Sequence, residues 1–169
     1  MMAELSGLQV EKVKDLFCNE TGYQTPKIDT RAAIFKEGKI LLVHENNGTW
    51  SLPGGWCDVN VSVTENTIKE VKEEAGISKV YPVSEEIFSL ESLTVDGHVK
   101  KGKYVSSHLH LNVTYLLEAD PKENVSVKAD ENSGVAWFSP EEALGKSTEP
   151  WFVEHVYKKL INKVKMDTM

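Results

Sequence analysis

Three glutamates in one short stretch, Glu70, Glu73 and Glu74, stand at i, i+3 and i+4, the spacing that puts side chains on one face of an α-helix. Like charges so placed cost about 0.2–0.5 kcal/mol per pair, so the face is either simply solvated or meets a positive partner. Upstream lie Gly54 and Gly55, a pair that lets backbone pass close to a ligand. Hard cations such as Mg2+ take one or two carboxylates and fill the remaining positions with waters and substrate phosphates. Carboxylates next to a glycine pair therefore predict a place where a divalent cation and a phosphate meet.

The elements that must hold these residues can be read around them. The pattern predicts a helix over 64–75, with Thr64 as N-cap, Thr67 in the first turn, Ile68, Val71 and Ala75 towards the apolar side, and Gly76 closing it. Before it, the run beginning Thr30-Arg31-Ala32 and the run Lys39 to His44 flank a Lys-Glu-Gly turn and read as a two-stranded hairpin. Asn46, Asn47 and Gly48 mark a turn, and Trp50 to Gly55 a short strand ending in the glycine pair. After it, 80–93 and 107–118 are strand-rich. In the second, Leu109, Leu111, Val113, Tyr115 and Leu117 alternate with His108, His110, Asn112 and Thr114, which predicts one face on the core. A last strand, 133–138, leads to Ser139, Pro140 and Glu142 at the N-cap, N1 and N3 positions of a helix. A terminal helix over 151–164 carries Phe152, Val153, Val156, Leu160 and Val164 near one stripe. Residues 5–19 predict a further short helix, with Gly22 and Pro26 closing the stretch.

Length and composition narrow the class. A chain of 169 residues, 40% hydrophobic and 27% charged, is sized and built for one globular core rather than a fibrous or disordered chain. Its longest apolar runs, such as 40–43, fall far short of the roughly 20 residues that span a bilayer. The first residues mix Glu4, Glu11 and Lys12 with scattered apolar positions, unlike a secretory signal, so a cytoplasmic location is the expectation. Cys18 and Cys57 form no Cys-x-x-Cys pair and are expected as reduced thiols. A net charge of −7 opposes binding to long nucleic acids and fits a small phosphate-bearing partner reached through cations.

Read as one unit, residues 55–77, GWCDVNVSVTENTIKEVKEEAGI, resemble the Nudix box, G-x5-E-x7-R-E-U-x-E-E-x-G-U with U apolar. Gly55, Glu70, Val71, Glu73, Glu74, Gly76 and Ile77 fall on their positions in register. The flanking strands and the late Trp137-Phe138-Ser139-Pro140 segment are also similar to the family, and the Gly-Gly-Trp loop resembles a subgroup with ADP-ribose-type and CDP-choline-type pyrophosphatases. The resemblance implies an α/β/α sandwich in which a mixed sheet lies between the carboxylate helix and the C-terminal helix. Residues 1–29 would form a helical extension and 30–169 the hydrolase domain. It further implies that Glu70, Glu74 and the Gly54 carbonyl hold Mg2+ or Mn2+, and that Glu73 binds another ion or activates water. The substrate would be a nucleoside diphosphate linked to another group.

Two positions depart from the box: Val61 replaces a usual Glu, and Lys69 a usual Arg. In the family these two commonly brace the catalytic helix, and Val61 cannot accept a hydrogen bond. The brace is therefore lost or replaced, and a noncatalytic Nudix fold that binds a nucleotide or a protein is the competing reading; an RNA-end hydrolase would require a basic groove. The family often supplies a late-loop acid, for which Glu131 is the candidate for metal ligation or general-base work, with Asp130 as its rival and a solvated loop as the alternative. Arg31 could hold a phosphate or form a surface salt bridge. His108 and His110 share a strand face, which suits a substrate pocket or a metal, with exposure to solvent the alternative. Trp50 and Trp56 flank the glycine pair, and Gly55 and Trp56 are expected at the substrate, with core packing the role of at least one tryptophan. Cys57 and Asp58 receive no role, and exposed strands leave a homodimer open.

Overall fold

A computed structural model describes residues 27–167 apart from 47, 59, 96, 101, 106, 121, 129–131 and 149. The helix expected over 5–19 lies outside the described residues. The first strand, β1 (Lys27–Lys36), begins three residues before the change of pattern at Thr30. It turns into β2 (Lys39–Glu45) through Glu37 and Gly38, both at positive φ (50° and 74°), the backbone of a two-residue hairpin turn.

The remaining strands are β3 (Trp50–Ser51), β4 (Gly54–Trp56), β5 (Val80–Pro82), β6 (Ser89–Val95), β7 (His98–Lys100), β8 (Lys103–Val105), β9 (His108–Ala119) and β10 (Asn132–Phe138). The stretch read as strand-rich over 80–93 is thus two strands separated by a loop. The main sheet runs β10-β2-β1-β9-β5, with β3 on β2, β4 on β1 and β6 on β9; β7 and β8 form a separate hairpin. Only the β1–β9 pairing is parallel among the pairings described, which makes the sheet mixed. Each of these two long strands splits its other edge between partners: β1 pairs with β4 and then β2, and β9 with β6 and then β5.

Helix α1 (Val63–Ala75) covers one side of the sheet. Its Val71 and Ala75, with Ile77, pack on Ala32, Ile34, Leu41, Val113, Tyr115 and Leu117. The other side is covered by α2 (Pro140–Lys146) and by α3, which runs over 150–167 as Pro150–Phe152, a π-helical turn Val153–Tyr157 and Lys158–Asp167. Ala143, Val156, Tyr157 and Leu160 pack there on Ala33, Ile40, Leu42 and Leu52. The sandwich buries the central strands on both faces, which accounts for the unbroken apolar runs of β1 and β2. On β9, Val113, Tyr115 and Leu117 face the core as expected, and His110, Asn112 and Thr114 on the opposite face are equally buried. No helix among the described residues is long and apolar enough to cross a membrane.

Candidate active site

Two helix ends position the carboxylates. The N-cap of α1 is Ser62, not Thr64: its hydroxyl accepts from Glu65 N–H while Glu65 Oε2 accepts from Ser62 N–H, a capping box that Thr64, with Thr67 three residues on, cannot make. The C-terminal end stops at Gly76 in the left-handed region, φ 67°, where a Cβ would run into Ser126. Two carbonyls of the last turn are satisfied from outside, Glu74 O by Asn132 Nδ2 at 2.6 Å and Ala75 O by Ser126 N–H at 2.9 Å. On the buried side the Thr67 hydroxyl is hydrogen-bonded to that of Thr30, tying the helix to β1.

The glycine pair lies directly under the acidic face. Glu74 Oε2 accepts the Gly54 N–H at 2.9 Å, and a Cβ on Gly55 would stand 3.0 Å from Glu70 Oε2. Gly54 itself has φ 154°, and a Cβ there would overlap the Thr30 carbonyl, so only glycine fits. Burial, and then the charges of Glu70 and Glu45, push the Glu74 carboxyl up to about 7, against the pull of the Gly54 N–H and of Arg31. Glu73 lies instead with Glu65, Ile68, Lys69 and Lys72 around a shallow depression on the outer side of the helix. Glu131 and Asp130 lie outside the described residues.

No three His, Cys, Asp or Glu side chains among the described residues close into a cage for a metal. Two carboxylates, Glu70 and Glu74, set against backbone, form an open donor set. Open sites of one or two carboxylates, completed by waters and phosphate oxygens, suit Mg2+ better than a closed cage does. The residues present therefore fit a divalent cation.

Arg31 is neither exposed nor a simple surface ion pair. Its Nε donates to Asp29 Oδ2 at 3.3 Å, and its Nη1 donates to the carbonyls of Leu52 at 3.2 Å and Gly54 at 3.1 Å. Burial alone would lower its pKa, but Asp29, Glu45, Tyr157 and Glu74 outweigh it and hold the charge. Asn112 Nδ2 donates to the same Asp29 oxygen at 2.9 Å. Asp29 lies outside the strand expected to begin at Thr30, and Asn112 lies on the side of β9 opposite its expected core face, so neither is among the residues the sequence singles out.

The brace is replaced. Lys69 Nζ lies 2.6 Å from Asp58 Oδ2, so the lysine that cannot reach an acid at position 61 finds one three residues earlier in the loop. Both partners are nearly half exposed, 46% and 44%, so the pair adds little stability. The stronger tie is Asn66, wholly buried: its Oδ1 accepts from Asp58 N–H at 3.0 Å and its Nδ2 donates to Trp56 O at 3.2 Å. One amide thus holds both ends of the 56–58 loop.

Trp56 carries Lys27 Nζ 4.5 Å from its ring centroid and meets His110 edge-on at 5.0 Å. Trp50 packs edge-on against Phe138 at 4.9 Å and belongs to the core. His110 is buried, which lowers its pKa and favours the neutral ring; His108 lies 4.8 Å from it. Burial, then Asp29, Glu70 and Asp58, push the Cys57 thiol up to about 11, consistent with no chemical role. Beyond Arg31 opens a cleft of about 410 Å³ between β1, β9 and the π-helical turn.

The chain is similar to known proteins in sequence and in fold. The NUDIX domain family model matches residues 25–160. The Bacillus subtilis protein YjhB, provisionally named an ADP-ribose pyrophosphatase, is 51% identical over 77 residues, 45% of this chain; the match spans only 37% of that relative's length. A CTP pyrophosphohydrolase of Escherichia coli is 27% identical over 126 residues, covering 67% of this chain and 76% of that one. A crystal structure of an ADP-ribose pyrophosphatase from Streptococcus suis superposes with a TM-score of 0.58 at 35% identity, covering 83% of this chain and 93% of that one. The box in register, the sandwich around it and a family match over most of its length place this chain in the Nudix family.

Proposed function

We propose that the protein is a divalent-cation-dependent pyrophosphohydrolase that cleaves the phosphoanhydride of a nucleoside diphosphate linked to another group, of the ADP-ribose or CDP-choline kind. The observation that carries the reading is the glycine pair held between two carboxylates, Glu74 on Gly54 N–H and Glu70 against Gly55. The names of the Bacillus subtilis and Streptococcus suis proteins support the substrate class.

In this reading Glu70, Glu74 and the Gly54 carbonyl hold Mg2+ or Mn2+. When bound, such an ion polarises a bridging phosphate oxygen, offsets charge and eases deprotonation of water. Arg31 donates to the Gly54 carbonyl, whose second lone pair stays available, and so orients that oxygen without consuming it. Asn66 and the Asp58–Lys69 pair keep the 56–58 loop beside the acidic face, the duty of the usual Glu–Arg brace. Glu73 and the late-loop acid Glu131 remain the candidates for water activation.

A turnover panel tests this: ADP-ribose, CDP-choline, dinucleoside polyphosphates, nucleoside triphosphates and capped RNA, with Mg2+ or Mn2+. Release of a nucleoside monophosphate from the diphosphate-linked compounds is expected. Nucleotide binding with no metal-dependent turnover across the panel would instead make the chain a binding module.

A further inference from the structure

The cleft next to Arg31 has a polar floor that its own fold leaves incomplete. Asp29 is 5% exposed and His110 8%, and among the described residues neither Asp29 Oδ1 nor His110 Nε2 has a hydrogen-bond partner. Asp29 Oδ2, by contrast, accepts from both Arg31 and Asn112, which fixes the carboxylate and dictates where its other oxygen stands. A buried carboxylate oxygen without a donor is costly, since it has lost water and gained nothing in exchange. Such an atom is tolerated where a ligand supplies the missing donor.

The opposite wall makes the same point independently. Phe152, Val156 and Tyr157 line the cleft, and they come from the stretch where α3 widens into a π-helical turn. The wider turn breaks the regular helical spacing, and such turns concentrate at functional sites. An apolar wall facing a polar floor, with a volume of about 410 Å³, is the form of a small-molecule pocket. Arg31 joins this cleft to the glycine pair, so a substrate with its phosphates there would reach in with its remaining end.

We infer that this cleft selects the non-phosphate end of the substrate by its hydrogen-bond donors, with Asp29 Oδ1 accepting from an exocyclic base amine or a sugar hydroxyl. His110 Nε2 supplies a second polar contact, and Phe152 and Tyr157 cover the group's apolar face. The inference rests on the pyrophosphohydrolase reading and specifies which compounds it favours: those whose end carries a hydrogen-bond donor.

Three compounds separate the two donor sources: ADP-ribose, its unsubstituted-purine analogue, in which hydrogen replaces the base amine, and the methyl ester of ADP without the terminal sugar. Their binding is measured by calorimetry on chelator-treated protein, and their kcat/KM with Mg2+. Wild type is expected to lose about tenfold to a hundredfold on one analogue, the value of a hydrogen bond to a charged group, and that analogue names the group in the cleft. Asp29→Asn, which turns an amide donor towards the ligand, should erase that discrimination. His110→Asn repeats the comparison should Asp29→Asn fold poorly. Equal treatment of all three compounds by wild type, as an ordered water on Asp29 would produce, overturns the inference; so does an equal loss on all three in the variants, the mark of a purely structural Asp29. Binding that discriminates without any turnover would sink the hydrolase reading and leave the cleft assignment standing.

Discussion

Replacing Glu74 by Gln should stabilise the metal-free protein above neutral pH while removing its turnover. The Glu74 carboxyl, ordinarily near 4.5, is held at about 7 by burial and by Glu70. Between those two values the folded state binds a proton that the unfolded chain has released, so stability falls as pH rises through the window and the full penalty stands above it. At 1.36 kcal/mol per pH unit the penalty is about 3 kcal/mol as an upper bound. Glutamine carries no charge, and its carbonyl oxygen can still accept the Gly54 N–H. Its amide group is itself costly to bury, so roughly half of that gain is expected to survive, a rise in Tm of roughly 3–6 °C for a chain of this size. The assay is thermal unfolding in chelator at pH 5 and pH 8, for wild type and Glu74→Gln. The variant should be the slightly less stable protein at pH 5, where wild type is largely protonated and the amide cost stands nearly alone, and the more stable one at pH 8, and Mg2+ should restore wild type alone. A variant less stable than wild type at pH 8 would refute the reasoning, because it would mean that the ionised carboxylate is a stabilising partner rather than a buried burden.

Other outcomes follow from the same geometry. Gly55→Ala should displace the Glu70 carboxylate, cutting Mg2+-dependent kcat by about tenfold or more with Tm nearly unchanged, as steady-state kinetics beside a melting curve would register. Asn66→Ala leaves the backbone of the 56–58 loop unpaired and should cost about 1–3 kcal/mol in urea unfolding, whereas Asp58→Ala, which removes only a half-exposed pair, should cost under about 1 kcal/mol. Cys57 should react slowly with iodoacetamide at pH 8 and gain speed only as pH approaches 11, which a labelling rate against pH would trace.

What the sequence discloses is what fixed spacing encodes. The three glutamates, Gly55 and Gly76 sit at invariant offsets along one turn-and-helix, so the box could be read without knowing the fold. The cap at Ser139 is equally legible, because a capping box is local; Ser62 carries the same Ser-x-x-Glu signal, which decides the helix start against Thr64. The loop tie was not legible: Asp58 reaches Lys69 only because Asn66 folds the 56–58 backbone onto the helix. Alternation along β9 discloses one core face but not what covers the other; the sandwich covers both and places His110 and Asn112 in the lining of the cleft. The π-helical turn leaves no periodic trace in five residues.

The most direct test of the account is the rate of nucleoside monophosphate release from ADP-ribose by chelator-treated protein as Mg2+ is added back, for wild type, Glu70→Gln and Glu74→Gln. No product should form without the cation, wild type should saturate with it, and each variant should lose roughly a hundredfold or more, the effect of about 3 kcal/mol of transition-state stabilisation. Turnover that persists in both variants, or that ignores the chelator, would contradict the assignment of the carboxylates around Gly54 and Gly55 as the cation site.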